Sequence, residues 1–431
     1  MIKLHPIPTV SLDCAVCGAR LEAEGWYMPG MRVLAKLHCP QCGRSFYGDM
    51  PTGQGLLQPA LLEIESGNVH ASLPSWFADE LKQSYDNRSS APLDVSIEKL
   101  NPLNKSYILN CLDTFYGHCL EKLLNAQYYI DSGFDLLVIV PAFLRWLVPD
   151  GAAEIWVVNM PLRQGAQWSD WFAQQIHSRV ETLDECGLAV AFSEPNPEDY
   201  AIERYTRVKP FPMNEWFDRL QKPTLTFVWR NDRLWSETPS QQWKRGLLRG
   251  ARQIGLLPSP ATAQAAHVRE LARSLQARYP ALDFAVVGIG QPGGFDAGIT
   301  DMRATKIDET VERTWCERYA QSHIVIGIHG SNMMLPSALA GSVIELLPGD
   351  RIGNLAQDII DVGPQTGREV IFRYRFLPVS ASPDDIRAVA ETLLKYMPSV
   401  QMQFGRASNS QMLNEEKLSS LWRNYQRYLS T

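Results

Sequence analysis

One stretch, residues 322–348, decides the fold of this chain and reads SHIVIGIHGSNMMLPSALAGSVIELLP. Two short runs rich in Ile and Val, residues 323–328 and Ser342–Leu347, flank a segment with the length of a short helix. Apolar, β-branched runs bounded by turn residues are typical of buried parallel strands. The stretch therefore predicts a strand–helix–strand unit within a parallel sheet.

The turn between the first strand and the helix consists of His329, Gly330, Ser331 and Asn332, and we expect Ser331 or Asn332 to be the N-cap. Ligands of doubly wound sheets lie outside the carboxyl ends of the strands, where a helix N-terminus attracts phosphate. The turn therefore predicts a phosphate site. It also fits a core unit in which the glycine only turns the chain, and these residues alone leave both interpretations open.

The composition is that of a globular protein: 431 residues, 45% apolar and 20% charged, with a net charge of −6. This length predicts a large core and two or three domains. The charge lacks the basic surplus of nucleic-acid-binding proteins. The longest apolar stretch, residues 136–149, contains Arg145 and is too short for a membrane span, and residues 1–14 lack the apolar core of a signal peptide. We therefore expect a cytoplasmic protein without a transmembrane segment.

Four of the eight cysteines form two C-x-x-C-G motifs, Cys14 with Cys17 and Cys39 with Cys42, separated by 21 residues. Four thiolates in two such pairs are typical of a tetrahedral Zn²⁺ site, and a four-cysteine site is structural because it has no open coordination position. Disulfides and a rubredoxin-like iron site are the alternatives. The other cysteines lie in apolar segments and are expected to be buried.

Strands alternate with helices through the rest of the chain, which is typical of parallel sheets. The predicted strands are residues 107–111, 136–140, 154–159, 188–192, 224–229, 284–289, 323–328, 342–347 and 370–376. The predicted helices are residues 116–130, 143–148, 168–183, 263–279, 309–321, 384–396 and 413–429. The glycines in residues 288–294 resemble a dinucleotide loop only superficially, because Pro292 breaks the spacing.

Arg230, Asn231, Asp232 and Arg233 follow directly after the predicted strand 224–229. Two guanidinium groups at the carboxyl end of a strand suit a diphosphate, because arginine offers a planar fork and a permanent charge. A solvated loop with ion pairs is the alternative.

The run VIGIHGSN followed by SVIELLP resembles the signature of glycosyltransferase family 61, in which a strand ends in His-Gly and the next strand carries a Glu before Leu and Pro. The corresponding residues here are His329, Gly330 and Glu345. The resemblance implies transfer of a sugar from a nucleotide-sugar donor with inversion. It also implies an α/β fold of two Rossmann-like domains facing a cleft, the GT-B type. The same layout resembles heptosyltransferase-type enzymes.

A second segment, residues 115–124, resembles the Gly-His-Trp-Leu helix start of that family, with Cys119 in place of the Trp. We expect His118 to be the general base, because imidazole accepts a proton at neutral pH, and Glu121 to orient its ring. The alternative is a histidine that only packs at the helix start. Three other residues are rival bases: Asp113, Asp232 and His329.

These features predict an inverting, metal-independent glycosyltransferase that moves a sugar to a hydroxyl of a glycan or protein. The chain has no Asp-x-Asp pair for Mg²⁺ or Mn²⁺, so Arg230, Arg233 and the helix at Ser331 are expected to hold the diphosphate, and Glu345 the ribose hydroxyls. We expect a zinc ribbon (residues 1–55), an acceptor domain (56–220), a donor domain (221–400) and a bracing helix (401–431). A non-catalytic, nucleotide-binding adaptor with a zinc ribbon is the alternative.

Overall fold

A computed structural model of the chain describes residues 2–71, 75–235, 260–360 and 367–404. The chain divides into two compact units, Met1–Tyr205 and Thr206–Thr431. This division lies upstream of residue 220, where we expected the first Rossmann-like domain to end. Each unit contains its own sheet of parallel strands.

The first unit is built on two sheets. Its strands are, in chain order, β1 Ile2–His5, β2 Glu22–Tyr27, β3 Leu34–His38, β4 Ser45–Asp49, β5 Ala60–Glu63, β6 Val69–Ala71, β7 Val95–Lys99, β8 Ser106–Asn110, β9 Asp135–Pro141, β10 Glu154–Val158 and β11 Cys186–Leu188. Its α-helices are Trp76–Asp86, Tyr116–Leu124, Ala126–Asp131 and Asp170–Val180, and the helix Ile202–Thr206 reaches the boundary between the units.

The larger of these sheets has six described strands in the order β1-β11-β8-β9-β10-β7. The four central strands are parallel, and β1 and β7 pair antiparallel at the edges. Strand β8 is the first of the parallel strands along the chain and lies between β9 and β11. The order of the sheet therefore reverses at β8, and ligands of such sheets bind beyond the carboxyl ends of the strands at the point of reversal.

The smaller sheet is an antiparallel meander of strands β2 to β6. It continues beyond residue 55, the predicted end of the zinc ribbon, because β5 pairs with β4 and β6 with β5. Helix Trp76–Asp86 follows the last strand and packs against β5 and β6. The four cysteines lie on the loops that precede and connect its first strands, so this sheet is the ribbon expected from the sequence.

The second unit contains six described strands, all parallel, in the order β14-β13-β12-β15-β16-β17. They are β12 Thr224–Trp229, β13 Asp283–Ile289, β14 Ile299–Ala304, β15 Ile324–Ile328, β16 Ser342–Leu347 and β17 Tyr374–Pro378. Its α-helices are Trp216–Arg219, Pro260–Arg278, Glu309–Gln321, Met334–Leu339, Gly367–Arg373 and Pro383–Phe404. Numbered along the chain, this order is 3-2-1-4-5-6, that of dinucleotide-binding folds. The predicted α/β class with two Rossmann-like sheets and a cysteine ribbon is confirmed.

Several predicted elements differ from the structure. The helix expected at 116–130 is broken at Asn125, whose side-chain amide donates to the carbonyl oxygens of Glu121, Lys122 and Phe192. The strand expected at 188–192 ends at Leu188.

The segment expected to form a strand at 370–376 is instead the helix Gly367–Arg373 followed by β17. Arg373 at the helix end donates to the carbonyl oxygens of Ala340 and Gly341, and this tertiary contact overrides the β-branched composition. The segment at 143–148 is a 3₁₀ helix, Ala142–Leu147. The terminal helix expected at 413–429 lies outside the described residues.

Candidate functional site

The turn after β15 is shaped by Gly330, which has a φ of +143°. A 3₁₀ turn, Ser331–Met333, leads into the α-helix Met334–Leu339. Gly330 is the N-cap of the 3₁₀ turn and Met333 that of the α-helix, and no side chain caps either, so the predicted capping role of Ser331 or Asn332 is wrong. The physical reason is that the Asn332 Oδ1 accepts a hydrogen bond from Arg230 instead.

Arg230 and Arg233, which follow β12, converge on this turn from the neighbouring strand. The carbonyl oxygen of His329 accepts from Arg233 Nη1 at 2.8 Å and from Arg230 Nη1 at 3.2 Å. Strands β12 and β15 are the pair at which the sheet order reverses. The arginine loop that follows β12 and the glycine turn that follows β15 therefore meet at the switch point of the second sheet.

Asp232 and Asn231 have partners of their own in this loop. The Arg230 fork binds Asp232, with Nε–Oδ1 at 2.9 Å and Nη2–Oδ2 at 2.6 Å, and this hydrogen bonding lowers the pKa of Asp232. Asp232 is thus a weak proton acceptor, which counts against its role as a general base. The Asn231 Oδ1 accepts from the Trp229 indole at 2.8 Å, which fixes the start of the loop.

A third arginine, Arg351, contributes positive charge at the same turn. It lies on the 3₁₀ segment Gly349–Asn354 after β16. Burial and the charges of Arg230 and Arg351 lower the pKa of Arg233, because like charges disfavour one another. The Asn332 Nδ2 is buried without a hydrogen-bond partner, and the Arg351 Nε, which also lacks a hydrogen bond, forms an ion pair with Asp350 Oδ2 at 3.5 Å. The buried Asn332 amide calls for an acceptor, and beside three guanidinium groups an anion is a fitting one.

Beneath the turn lies a buried group formed by His329, Glu345 and Asp358. The His329 Nδ1 lies 3.2 Å from Glu345 Oε1 and 3.1 Å from Asp358 Oδ2, and the Gly330 N–H donates to Asp358. Burial raises the pKa of Glu345 to about 8. Burial likewise raises the pKa of Asp358, to about 6. At neutral pH Glu345 is therefore protonated, and Asp358 is the charged acceptor of the group.

The ligand atoms of these three residues lie within 4.8 Å of one another and are of the type that binds divalent cations. Their hydrogen bonds to each other and to the Gly330 backbone already account for the arrangement. Glu345 is 2% exposed, so its carboxyl group faces His329 and Asp358 rather than solvent, unlike the ribose-binding position expected from the sequence. We interpret the group as a hydrogen-bonded support for the turn.

Asp358 also fixes the segment that carries Arg351. Its carbonyl oxygen accepts from Ser337 Oγ at 2.9 Å, and the same Oγ accepts from the Ile360 N–H at 2.9 Å. Sequence reasoning missed Asp358 and Arg351. Their position in the sequence could have indicated them, because both lie in the charged connection after β16, and ligands of such sheets bind at the carboxyl ends of the strands.

A second polar group lies in the first unit, after β8. The Asp113 carboxylate is fully buried, and its Oδ1 lies 3.1 Å from His118 Nδ1 while its Oδ2 accepts from Lys122 Nζ at 2.6 Å. Burial would raise the pKa of Asp113, but the Lys122 charge and the His118 hydrogen bond outweigh it and hold that pKa well below its usual range. Asp113 is therefore a permanent anion at the switch point of the first sheet.

The Asp113 carboxylate determines which ring nitrogen of His118 carries the hydrogen. Because a carboxylate only accepts, the His118 Nδ1 carries the hydrogen of the 3.1 Å contact, which leaves Nε2 as the basic nitrogen. The His118 side chain is 26% exposed. Asp113 orients the His118 ring, the role that we expected of Glu121. It can do so because it lies in the loop between β8 and the helix, where its carboxylate contacts the first turn of that helix.

The four ribbon cysteines come together as expected. Their Sγ atoms lie within 4.8 Å of one another, with Cys14–Cys42 at 3.7 Å and Cys17–Cys39 at 3.5 Å. A tetrahedron of sulfurs at Zn–S distances of about 2.3 Å has edges of about 3.8 Å. These separations fit a bound Zn²⁺ and exceed the roughly 2.05 Å of a disulfide.

No protein-family model matches this chain, and no curated protein shows significant sequence similarity to it. Membership of glycosyltransferase family 61 is therefore not confirmed and stays a prediction. Within the described ranges, no helix is long and apolar enough to cross a membrane.

Three solved structures of glycosyltransferases resemble the chain. E. coli heptosyltransferase WaaC with ADP is 11% identical with a TM-score of 0.35, covering 67% of this chain and 99% of WaaC. The glycotransferase of kitacinnamycin is 12% identical with a TM-score of 0.27, covering 75% and 72% of the two chains. The iron-containing dodecameric glycosyltransferase TibC of enterotoxigenic E. coli H10407 is 9% identical with a TM-score of 0.27, covering 78% and 82%.

Proposed function

We propose that this protein is an inverting glycosyltransferase that transfers a sugar from a nucleotide-sugar donor to a hydroxyl group of a glycan or protein. The observation that carries the proposal is the switch point of the second sheet. There Arg230 and Arg233 converge on the Gly330 turn, Arg351 adds its charge, and the buried Asn332 Nδ2 lacks a hydrogen-bond partner. A diphosphate supplies both the negative charge and the acceptor oxygens that this arrangement calls for.

In the proposed reaction the second unit stabilises the leaving group. As the bond between the sugar C1 and the diphosphate oxygen breaks, negative charge grows on that oxygen. Arg233 and Arg351, together with the Asn332 amide, provide fixed donors for this charge, so the diphosphate departs without a divalent cation at the reacting centre. Arg230 and Arg351 contribute less charge than Arg233, because Asp232 and Asp350 pair with them.

The first unit supplies the general base. His118 Nε2 takes the proton of the acceptor hydroxyl as the acceptor oxygen forms its bond to C1 on the face opposite the diphosphate. The nucleoside diphosphate leaves, and the configuration at C1 inverts. Asp113 stabilises the imidazolium that forms, because it is an anion beside Nδ1, and Lys122 keeps Asp113 ionised.

In the proposed enzyme, Cys14, Cys17, Cys39 and Cys42 hold a structural Zn²⁺, whose chemical contribution is to fold the ribbon. Its four positions are filled by thiolates, so it takes no part in the transfer.

Calorimetric titration with nucleoside diphosphates and nucleotide sugars tests the donor site. We expect Arg233→Ala and Arg351→Ala each to weaken binding by about tenfold to a hundredfold, as for a hydrogen bond to a charged group worth roughly 1.5–3 kcal/mol. Binding of the phosphate-free nucleoside should not change. Arg273→Ala is the control, because that side chain is 76% exposed. Equal diphosphate affinity in the two site variants and the control would place the donor elsewhere.

A further inference from the structure

Two exposed aromatic side chains flank the proposed base. Trp76 is 43% exposed and Phe115 is 54% exposed, and their ring centroids lie 6.4 Å and 5.1 Å from that of His118. The two rings lie 6.2 Å apart and are nearly perpendicular, at 87°. Single apolar residues are common on protein surfaces, but a pair of large rings around one functional imidazole indicates a ligand surface.

The position of Trp76 is fixed by the ribbon sheet. Trp76 is the first residue of its helix, and Ser75 caps that helix by accepting from the Ala78 N–H at 3.1 Å. The next residue, Phe77, is held by Arg32, whose guanidinium lies 3.3 Å from the centre of the Phe77 ring and donates to the Phe77 carbonyl oxygen. Arg32 is 3% exposed and pairs with buried Asp49. These contacts with the ribbon fix the start of the helix and therefore the position of Trp76.

Glu80 lies one helical turn after Trp76, on the same side of the helix. Its Oε2 is buried and has no hydrogen-bond partner. Its charge interacts with those of Arg32, Asp113, Lys122 and His118, and burial raises the pKa of Glu80. A buried carboxyl oxygen without a donor is costly, and a ligand hydroxyl would satisfy it.

We propose that Trp76, Phe115 and Glu80 form the acceptor subsite of the enzyme and that the acceptor is a saccharide. The inference rests on the proposed function in that His118 must be the base that deprotonates the acceptor. A sugar ring has an apolar C–H face that packs on an aromatic ring and a rim of hydroxyls that donate to carboxylates. A peptide that binds by strand addition would instead call for a row of free backbone groups, as at an open sheet edge.

Saccharide binding without donor tests the subsite independently of catalysis. The probes are methyl glycosides of glucose, galactose, mannose and N-acetylglucosamine, and a serine-containing peptide, followed by ligand-observed NMR. We expect at least one glycoside to bind. Trp76→Ala should weaken it by about tenfold, the equivalent of roughly 1.4 kcal/mol of lost ring contact.

Glu80→Gln should weaken binding of the same glycoside while keeping the shape of the side chain. Tyr128→Ala is the control, since Tyr128 is a 50% exposed aromatic of the same unit. Thermal melting of each variant separates a lost subsite from a lost fold.

The outcomes separate this inference from the proposed function. Glycoside binding that depends on Trp76 and Glu80 without any sugar transfer would support the subsite and overturn the transferase. Transfer with an unchanged acceptor KM in Trp76→Ala and Glu80→Gln would support the transferase and overturn the subsite. Binding of the peptide and of no glycoside would also overturn the saccharide inference.

Discussion

Arg230 Nη1 occupies the space in which a Cβ atom at position 330 would lie. The backbone of Gly330 also has a φ that L side chains rarely adopt. The glycine of the HGSN turn is therefore needed for two reasons, the left-handed turn itself and the close approach of the guanidinium group to the backbone.

The first prediction follows from this contact. Gly330→Ala should displace Arg230 and weaken nucleoside diphosphate binding by at least about tenfold, and strain should destabilise the protein by about 1–3 kcal/mol. Calorimetry and denaturant unfolding measure both quantities. Gly353→Ala is the control, because a Cβ at position 353 meets no atom within 4 Å. Unchanged nucleotide affinity in Gly330→Ala would remove the turn from the donor site.

The second prediction concerns the base. His118→Ala should leave folding and donor affinity intact, because the imidazole is partly exposed and belongs to the first unit. Turnover should fall by about 10² to 10⁴-fold, the usual contribution of a positioned base. His177→Ala serves as the matched control, since that histidine is 48% exposed in the same unit. If turnover at saturating acceptor stays near normal, His118 is a packing residue and another group removes the proton.

The third prediction is a pH dependence of stability. The pKa of Glu345 is raised from 4.5 to about 8 in the folded protein, so folding favours its protonated form. As pH rises from about 4.5 to about 8, the unfolded chain loses this proton first, and the contribution of Glu345 to the free energy of unfolding is lost. Asp358, with its pKa raised to about 6, acts in the same direction at lower pH.

Glu345→Gln should therefore flatten this decline, because the amide keeps the neutral shape at every pH. Denaturant midpoints of the protein and the variant at pH 5, 6.5 and 8 provide the test. Parallel declines in the two proteins would show that folding does not raise the pKa of Glu345.

The fourth prediction is about one Zn²⁺ per chain, detected by elemental analysis of protein purified under reducing conditions. Cys39→Ser should remove the metal and unfold the ribbon. Because Arg32 and Asp49 of the ribbon hold the helix that begins at Trp76, this loss should also weaken saccharide binding. Cys316→Ala is the control, as Cys316 is a buried cysteine outside the ribbon. Stoichiometric iron would favour the rubredoxin-like alternative, and the absence of any metal would contradict both.

The strands of the second sheet were predictable because their signals are local. The runs at Thr224–Trp229 and Ser342–Leu347 are mostly apolar and match the observed strands residue for residue. The cysteine pairs were equally clear, since spacing alone defines them. Arg230 and Arg233 were found because they directly follow a strand.

The partners of these residues were not predictable, because they are brought together by the fold. Asp358 lies in a connection without hydrophobic periodicity, yet it receives the Gly330 N–H across the turn. Asp113 looked like an ordinary carboxylate until the structure showed it fully buried beside Lys122. Glu121 looked like the natural partner of His118 from helical spacing, whereas the actual partner precedes the helix.

The pairing of β1 with β11 has a consequence for how the first unit folds. Ile2 pairs with Leu188, and the whole ribbon is inserted between these two strands. During synthesis the ribbon hairpins, whose contacts are local, can form long before the strand that would pair with β1 has left the ribosome. Until then Leu4, fully buried in the finished protein, lacks the part of its hydrophobic cluster that β8, β9 and β11 supply. Strand β1 is therefore among the last strands of the first unit to find its partner, and this interval is when a chaperone would be most needed.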